Sequence, residues 1–537
     1  MHTVIEPYGS VLIDLMADSA SPAVTSLNAK KLPSISLDPL QQSDLELLIA
    51  GAYSPLDGYM GESDYLSVLN QMRLSDGRVW AIPLTLPIPV RLAQKLKIGQ
   101  IISLRDLSDK VIAVLKVAEI FKANDELENM HLGATLDFTS EAKWYVAGAV
   151  TGLTNPIRHD FTELRRTPSQ LRAYIKDRGW GRIVAYQSSQ PLHRAAFEFI
   201  SRVAIQNQAA LLIQPMVGGY GPDRPEYYPL IRGYQAVMSR LPRLTNALSL
   251  SPNYPRRGGV REVLHRAIIM RNYGCSHLVV GGEASGEGRL RRGSDVCDDQ
   301  SYQLVSKHIE GIGVALIPFP RMVYVEERGQ FLPLEEAPKD TFKHMLGSDE
   351  VKRRLRAGLA MPDWYAFPEV MAEMRIANPP NYLSGYVIVL AGLTGVGKST
   401  VACALSQTLM AYANRKVTVL DHDLLMDYPS MKSDPAIVGY VAAQIIKNNG
   451  IAICIAHSDS SAMRRATRKA AQGHGGYLEF YLTASAAART ERTDRVSDID
   501  TFDVPDQPDM TLDTSMLSVS QVIQAMVLKL EQEGYLK

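Results

Sequence analysis

The spacing of hydrophobic residues changes along the 537-residue chain. In residues 1–160, short apolar runs such as 79–90 and 111–121 are interrupted by turn residues and prolines. Short apolar runs between turn residues are typical of β-strands, and long amphipathic helices need a sustained helical period that this region lacks. The N-terminal region therefore predicts a mostly β domain.

From about residue 165, apolar runs alternate with segments of helical period. Strands are predicted at 182–187, 209–217, 275–282 and within 313–331, and helices at 192–207 and 260–274. This alternation favours a parallel, doubly wound sheet. Residues 347–376 predict a small helical appendage.

A second alternating region follows 378–385, a stretch with paired prolines, Ser and Gly that is typical of a linker. Strands are predicted at 386–391, 416–421, 451–456 and 477–482, and helices from 398, around 436–447 and at 519–536. The predicted domains are 1–165, 166–325, 326–380 and 381–537.

Composition and charge narrow the class of protein. Lys plus Arg (57) equals Asp plus Glu (57), so no global field attracts nucleic acid or an anionic membrane, and neither is expected as a partner. The four cysteines form no CxxC pair or metal-ligand spacing, and Cys403 and Cys454 lie in apolar runs that predict core positions. The N-terminus lacks a signal-peptide pattern and no apolar run would span a bilayer, which predicts a cytoplasmic protein.

A phosphate-binding loop is the clearest chemical motif. Residues 392–400 fit the pattern G-x-x-x-x-G-K-[ST] between an apolar strand and a helix. Glycines let backbone N–H groups surround a phosphate, and the helix N-terminus adds positive dipole. The predicted ATP-binding residues are Gly392, Leu393, Thr394, Gly395, Val396, Gly397, Lys398, Ser399 and Thr400. Lys398 is expected to reach the β- and γ-phosphates, and the Ser399 hydroxyl to ligate Mg²⁺.

Two carboxylates follow the next predicted strand. Asp421 and Asp423 stand where the ends of parallel strands meet the phosphate loop. One is expected to hold Mg²⁺ through water and the other to act as general base on a substrate hydroxyl, with Asp423 the candidate base. A solvated turn is the alternative explanation.

The C-terminal segment resembles adenylylsulfate (APS) kinase over about residues 384–537. The segments that carry the resemblance are 392–400, 420–423 and 512–519, similar to the family's GLSGAGKTT, LDGDNVR and LDTSKLSV. Members of that family transfer the γ-phosphate of ATP to the 3′-hydroxyl of APS. The resemblance therefore implies a P-loop kinase domain that uses ATP, with APS or an analogue as its nucleotide substrate.

Residues from about 20 to 376 resemble ATP sulfurylase. The segments that carry this resemblance are 49–61, 271–277 and 317–324. Together the two resemblances imply an α/β multidomain protein with a β-rich PUA-like N-terminal domain, a Rossmann-like nucleotidyltransferase domain and a C-terminal P-loop kinase domain. Large sulfurylase-like chains are often dimers or hexamers, so a homo-oligomer is expected.

The sulfurylase-like site departs from its family's Q-T-R-N-P-x-H-x-x-H motif. Gln187 and His193 are retained, but Ser189 replaces the sulfate-binding Arg and Ala196 replaces the second His. Arg194 is a candidate to replace the lost charge. Retained His193 has two open interpretations, a catalytic residue or a structural relic.

The family's second motif, G-R-D-H-A-G-P-G, is also changed. Gly281 is retained, while another Arg and His are absent and Glu287 adds a charge that repels sulfate. Losing one donor to a developing oxyanion costs about 10²–10³ in rate. The sulfurylase-like domain is therefore expected to be impaired or inactive in sulfate adenylylation, and to serve as a scaffold or take another ligand instead.

The kinase half departs on its acceptor side. After Asp423 the family's APS-binding Arg and Asn have no clear counterpart, and its lid with an adenine-stacking Phe is not visible around 493–505. A basic group of Arg464, Arg465 and Arg468 is expected either to meet an anionic substrate or to be a solvated helix face. Three functions stay open: an APS kinase, a kinase for another nucleotide-like acceptor, and a non-catalytic ATP-binding assembly.

Overall fold

The computed structural model describes residues 4–17, 31–131, 143–154, 158–219, 224–256, 258–281, 299–413, 415–421, 436–456, 461–492 and 502–537. The chain divides into two compact units. The first unit comprises Met1–Ser348 and Pro362–Ala377, and the second comprises Asp349–Met361 and Asn378–Lys537. A short segment of the second unit thus precedes the last segment of the first.

The first unit begins with a mainly antiparallel sheet in the order β1-β4-β5-β6-β2, with β3 also paired to β6. Its strands are β1 (Ser34–Ser36), β2 (Gly58–Tyr59), β3 (Leu86–Ile88), β4 (Ile101–Arg105), β5 (Val111–Lys122) and β6 (Trp144–Gly152). Its helices are α1 (Pro39–Ile49), α2 (Glu62–Gln71), α3 (Val90–Ala93) and α4 (Asp125–His131). The prediction of a β-rich N-terminal domain is confirmed.

A parallel sheet follows in the order β11-β10-β7-β8-β9. Its strands are β7 (Ile183–Ser188), β8 (Ala210–Pro215), β9 (Asn246–Leu248), β10 (His277–Val280) and β11 (Ala315–Pro318). Helix α5 (Pro168–Asp177) precedes β7, and the helices between the strands are α6 (Arg194–Gln206), α7 (Tyr227–Met238), α8 (Val260–Asn272) and α9 (Asp299–Ile312). β7 and β8 are buried over all their residues because the sheet has helices on both faces. The predicted doubly wound sheet is confirmed.

The first unit ends in a small sheet and a returning helix. The strands pair antiparallel in the order β13-β12-β14, and they are β12 (Met322–Val325), β13 (Gln330–Pro333) and β14 (Lys343–His344). Helix α11 (Pro368–Ala377) packs on α7. Trp364, just before α11, stacks on Tyr324 of β12 with ring centroids 5.5 Å apart.

The β-rich part and the parallel sheet share one hydrophobic core that extends from Tyr8 to Val314. Asn272, at the end of α8, joins the two parts at the centre of this core. Its side-chain amide donates to the carbonyls of Ala52 and Ser54, both at 2.9 Å, and its side-chain carbonyl accepts the Tyr8 amide at 2.8 Å. Because Asn272 is fully buried, these hydrogen bonds have no solvent competitor.

The second unit contains a parallel sheet in the order β16-β17-β15-β18-β19. Its strands are β15 (Tyr386–Ala391), β16 (Val417–Asp421), β17 (Ile451–Ile455), β18 (Gly476–Thr483) and β19 (Met510–Asp513), and its helices are α10 (Ser348–Arg356), α12 (Lys398–Ala413), α13 (Ala436–Lys447), α14 (Ser461–Ala471), α15 (Ala486–Arg492) and α16 (Val519–Gln532). α10 begins at Ser348, the last residue of the first unit's main segment. Buried side chains form one cluster with α12 and α16 and another with α13 and α14, so the sheet is covered on both faces.

Cysteine burial differs from the prediction at one position. Cys454 on β17 is buried, whereas Cys403 on α12 is exposed. The apolar run around Cys403 is a helix, so one side of it faces solvent. Among the described residues, none of the helices combines the length and the apolar character needed to cross a bilayer.

Replacement of Asn272 by Ala is expected to destabilise the first unit. The Tyr8 amide and two carbonyls would lose their partner in a buried place, at a cost of about 1–3 kcal/mol for each unsatisfied group. Thermal unfolding followed by circular dichroism should show a lower Tm for the first unit, whereas Asn70→Ala, at an exposed site on α2, should leave it unchanged. Equal Tm values for the two variants would contradict a central role for Asn272.

Candidate nucleotide site

The phosphate loop follows β15, which lies between β17 and β18 in the second unit's sheet. From β15 the chain passes through α12 to β16 and β17 on one side and returns to β18 on the other. Ligands of open parallel sheets bind beyond the carboxyl ends of the strands at such a reversal of strand order. The predicted strand, loop and helix are therefore present, in the place where this architecture binds a ligand.

Glycines shape the loop in two different ways. Gly392 has φ +153°, and a Cβ there would lie 2.4 Å from the Leu482 carbonyl oxygen of β18. Gly395 (φ +87°) and Gly397 (φ +93°) adopt left-handed conformations, which are typical of backbone turns whose N–H groups bind anions. Between them, the Val396 side chain is buried in the hydrophobic core and anchors the loop to the sheet domain.

Lys398 is the first residue of α12. Its ammonium group donates to the carbonyls of Gly392 at 2.6 Å and Leu393 at 3.1 Å, so it folds back over the loop. Ser399 and Thr400 follow in the first helical turn and are exposed. The loop thus brings the ammonium group, the helix N-terminus and two hydroxyls together, as the sequence predicts.

Thr514, the residue that follows β19, supports the loop. Its hydroxyl lies 2.8 Å from the Val396 carbonyl and 3.2 Å from the Thr483 carbonyl. Arg492 of α15 donates to the same hydroxyl at 2.9 Å and to the Thr514 carbonyl at 2.8 Å. Sequence reasoning noted 512–519 as a family motif but assigned no role to Thr514 or Arg492.

Asp421 ends β16, and its position is constrained by sheet register. It is paired with Ile455 of β17, which is paired with Leu390 of β15. Two strand spacings put its backbone about 10 Å from β15. A water-mediated or substrate contact at this edge of the sheet fits this distance. Asp423 lies outside the described residues, so the catalytic roles of both carboxylates stay predictions.

The basic group of α14 is neither of the two predicted alternatives. Arg464 is buried, with its Nε 2.8 Å from Glu479 of β18, and Arg468 lies 3.0 Å from the other oxygen of the same carboxylate. Arg468 also stands over the Tyr477 ring, 4.6 Å from its centroid, and only Arg465 is exposed without such a role. Two of the three charges therefore attach α14 to the sheet, and of these Arg464 is withdrawn from solvent while Arg468 stays half exposed.

The retained residues of the sulfurylase-like motif have structural contacts. Gln187 is fully buried, and its amide donates to Gln214 at 2.7 Å and accepts from Arg266 at 3.1 Å. His193 caps α6 through its Nδ1, which accepts the Ala196 amide at 3.3 Å. This cap favours the structural interpretation of His193 that the sequence left open.

The predicted substitute for the lost charge is paired elsewhere. Arg194 lies 3.0 Å from Glu198, one turn later on α6, and its guanidinium stands 5.8 Å from the Phe367 ring centroid. Gly281 follows β10 with φ +86°, a left-handed conformation that favours glycine at this position. The remainder of its motif, 282–288, lies outside the described residues.

Comparison with known proteins assigns all three parts of the chain. Residues 5–155 match the PUA-like domain family, 162–377 match ATP-sulfurylase and 384–496 match adenylylsulphate kinase. A sulfate adenylyltransferase of Chaetomium globosum is 31% identical over 566 residues, covering 99% of each chain. The chain belongs to the sulfate adenylyltransferase family.

Two further similarities refine this assignment. A sulfate adenylyltransferase of Mycosarcoma maydis is 36% identical over 428 residues, covering 77% of this chain and 75% of that protein. The solved structure described as a hexameric APS kinase from Thiobacillus denitrificans is 36% identical, covers both chains fully and superposes with a TM-score of 0.83. The chain is thus an ATP-dependent kinase of the adenylylsulfate kinase type fused to a sulfate adenylyltransferase-like domain.

Replacement of Thr514 by Val keeps the side-chain shape but removes the hydroxyl. The Val396 carbonyl and one Arg492 donor lose their partner, so we expect a loss of stability of about 1–2 kcal/mol and a higher KM for ATP. Steady-state kinase kinetics and thermal unfolding measure both effects. Thr490→Val, at an exposed site on α15, is the matched control, and an unchanged KM for ATP in the Thr514 variant would refute its support of the loop.

Proposed function

We propose that the second unit transfers the γ-phosphate of ATP to the 3′-hydroxyl of adenylyl sulfate. The observation that supports this most strongly is the phosphate loop at the carboxyl edge of the sheet, with Lys398 folded over it at 2.6 Å from the Gly392 carbonyl. The matches to adenylylsulphate kinase and to an APS kinase structure support the choice of acceptor.

The chain's own groups serve the donor half of this reaction. N–H groups of the glycine-containing turn would hold the phosphates, and Lys398 would exchange its two carbonyl contacts for oxygens of the β- and γ-phosphates. The dipole at the start of α12 favours the same negative charge. Because phosphoryl transfer depends mainly on positioning and charge stabilisation, these groups supply most of what the donor requires.

A magnesium ion fits the donor side of the site. The Ser399 hydroxyl is exposed at the first turn of α12, directly after the lysine, and is the residue that would hold the ion. When bound, Mg²⁺ offsets the negative charge of the β- and γ-phosphate oxygens. We propose Asp421 as a residue that acts through water or on the substrate, and Asp423 as the base for the acceptor hydroxyl.

A second acceptor is a competing proposal. Arg464 and Arg468 are both paired with Glu479, so in the described part of α14 Arg465 is the one cation of this group without an ion-pair partner. This arrangement favours an acceptor that needs fewer cationic contacts than the anionic phosphosulfate group of adenylyl sulfate. Transfer from labelled ATP to adenylyl sulfate and to a panel of other nucleotides distinguishes the two acceptors, and ATP binding without transfer to any of them would indicate a regulatory assembly.

We propose in addition that adenylyltransferase activity is reduced in the first unit. His193 caps α6, Arg194 is paired with Glu198, and Ala196 stands where the family motif has a second His. The names of the fungal relatives, in contrast, favour an active adenylyltransferase, so this part of the proposal depends on direct assay.

A homo-oligomer is the assembly that we propose, because the similar Thiobacillus denitrificans structure is described as hexameric. The cytoplasmic location and the four-part division of the chain stay predictions.

Replacement of Lys398 by Ala is expected to lower the kinase rate by at least about 10²–10³, because it removes the main positive charge near the transferred phosphate. A coupled assay of ADP release with ATP and adenylyl sulfate measures this rate. Thermal unfolding should be nearly unchanged, and Lys416→Ala, at an exposed site before β16, is the control. Retained transfer by the Lys398 variant would exclude this loop as the donor site.

Replacement of His193 by Ala is expected to lower the stability of the first unit by about 1 kcal/mol through loss of the helix cap, while His193→Asn retains it. Pyrophosphate release from ATP and sulfate should be slow in the unmodified protein and similar in both variants. Rapid release that disappears in both variants at unchanged stability would show that His193 is catalytic and the adenylyltransferase active.

A further inference from the structure

Arg489 has an unusual environment in the second unit. It lies on α15 and is only 2% exposed. Its Nε and Nη1 are buried and have no hydrogen-bond partner among the residues that the structure describes. No carboxylate in that part of the chain forms an ion pair with it.

The two neighbouring arginines, buried Arg464 and exposed Arg492, both have hydrogen-bond partners. Arg464 is paired with the Glu479 carboxylate, and Arg492 donates twice to Thr514. Buried charges are normally paired in this way because the loss of hydration is otherwise uncompensated. A guanidinium has five N–H donors and stays charged, so core packing alone does not account for Arg489.

The position of α15 indicates what Arg489 faces. Two residues separate β18 from α15, and the Leu482 carbonyl of β18 directly adjoins Gly392 of the phosphate loop. Arg489 and Arg492 are three residues apart, so they share a helix face. Arg492 on that face reaches Thr514, whose hydroxyl contacts the loop carbonyl of Val396. Arg489 therefore lies on the side of α15 that is turned toward the phosphate loop.

We propose that Arg489 binds a phosphate group of the nucleotide held in the phosphate loop. The proposal rests on the ATP site of the proposed function, but not on the identity of the acceptor. A phosphate accepts two parallel N–H bonds from a guanidinium, which would satisfy the donors that lack a partner. Within the described part of the chain the guanidinium of Arg489 has no partner for Nε and Nη1, and the anionic nucleotide would supply one.

The test uses Arg489→Met in the full-length protein, with Arg465→Met on the exposed face of α14 as the control. Removal of an unpaired buried charge should leave the ligand-free Tm unchanged or higher, because an apolar side chain of similar length replaces a desolvated cation. The Kd for ATP, measured by calorimetry, should rise about tenfold to a hundredfold, as expected for a lost hydrogen bond to a charged group. The Kd for inorganic tripolyphosphate should rise similarly, since it lacks the nucleoside.

Several results would overturn this assignment. An unchanged Kd for ATP, or a rise for ATP without a rise for tripolyphosphate, would remove the phosphate contact. A higher Kd for ATP together with a clearly lower ligand-free Tm would show that Arg489 stabilises the fold and does not bind the phosphate. If the Met variant does not fold, Arg489→Lys decides: weaker ATP binding at an unchanged Tm supports the proposal, and unchanged binding refutes it. Failure of the unmodified protein to phosphorylate adenylyl sulfate would affect the acceptor alone, because ATP binding is measured without transfer.

Discussion

The hydroxyl of Thr514 joins the parts of the second unit on which nucleotide binding depends. It connects the phosphate loop at Val396, the end of β18 at Thr483 and the helix that carries Arg492. The hydroxyl has one proton to share between the two carbonyls, and its oxygen accepts a hydrogen bond from Arg492. Its three contacts therefore form one connected hydrogen-bond network. A displacement of α15 would therefore alter the hydrogen bonds that support the loop at Val396.

The first unit uses its polar residues to a different end. Gln187 and His193 come from a family motif that serves nucleotide chemistry, but in this chain they hold β7 against β8 and cap α6. Both the nitrogen and the oxygen of the Asn272 side-chain amide likewise form hydrogen bonds with backbone groups of the β-rich part. Retention of a residue in a motif thus does not establish its chemical role, since the same side chain satisfies local backbone and core requirements.

Sequence reasoning predicted the elements whose apolar period is long or unbroken. β15 and α13 have their predicted bounds, because buried strands and a helix with a continuous apolar face leave a clear pattern. The same reasoning missed β19 and α15, which are short, and it treated Arg464 as a surface charge because Glu479, its partner, is fifteen positions away. The loop residues 392–400 were predictable since a local motif defines them, whereas Thr514 was not, because its contact with Val396 spans 118 positions.

The order of the two units along the chain has a consequence for synthesis. Asp349–Met361 belongs to the second unit, yet it is followed by Pro362–Ala377, which belongs to the first. During translation, most of helix α10 therefore leaves the ribosome before the sheet it belongs with has been made, while α11 completes the first unit immediately afterwards. A single break in the linker at 378–385 would release a kinase fragment without its α10 segment. Because the segments of the two units alternate along the chain, one cut cannot separate the units completely.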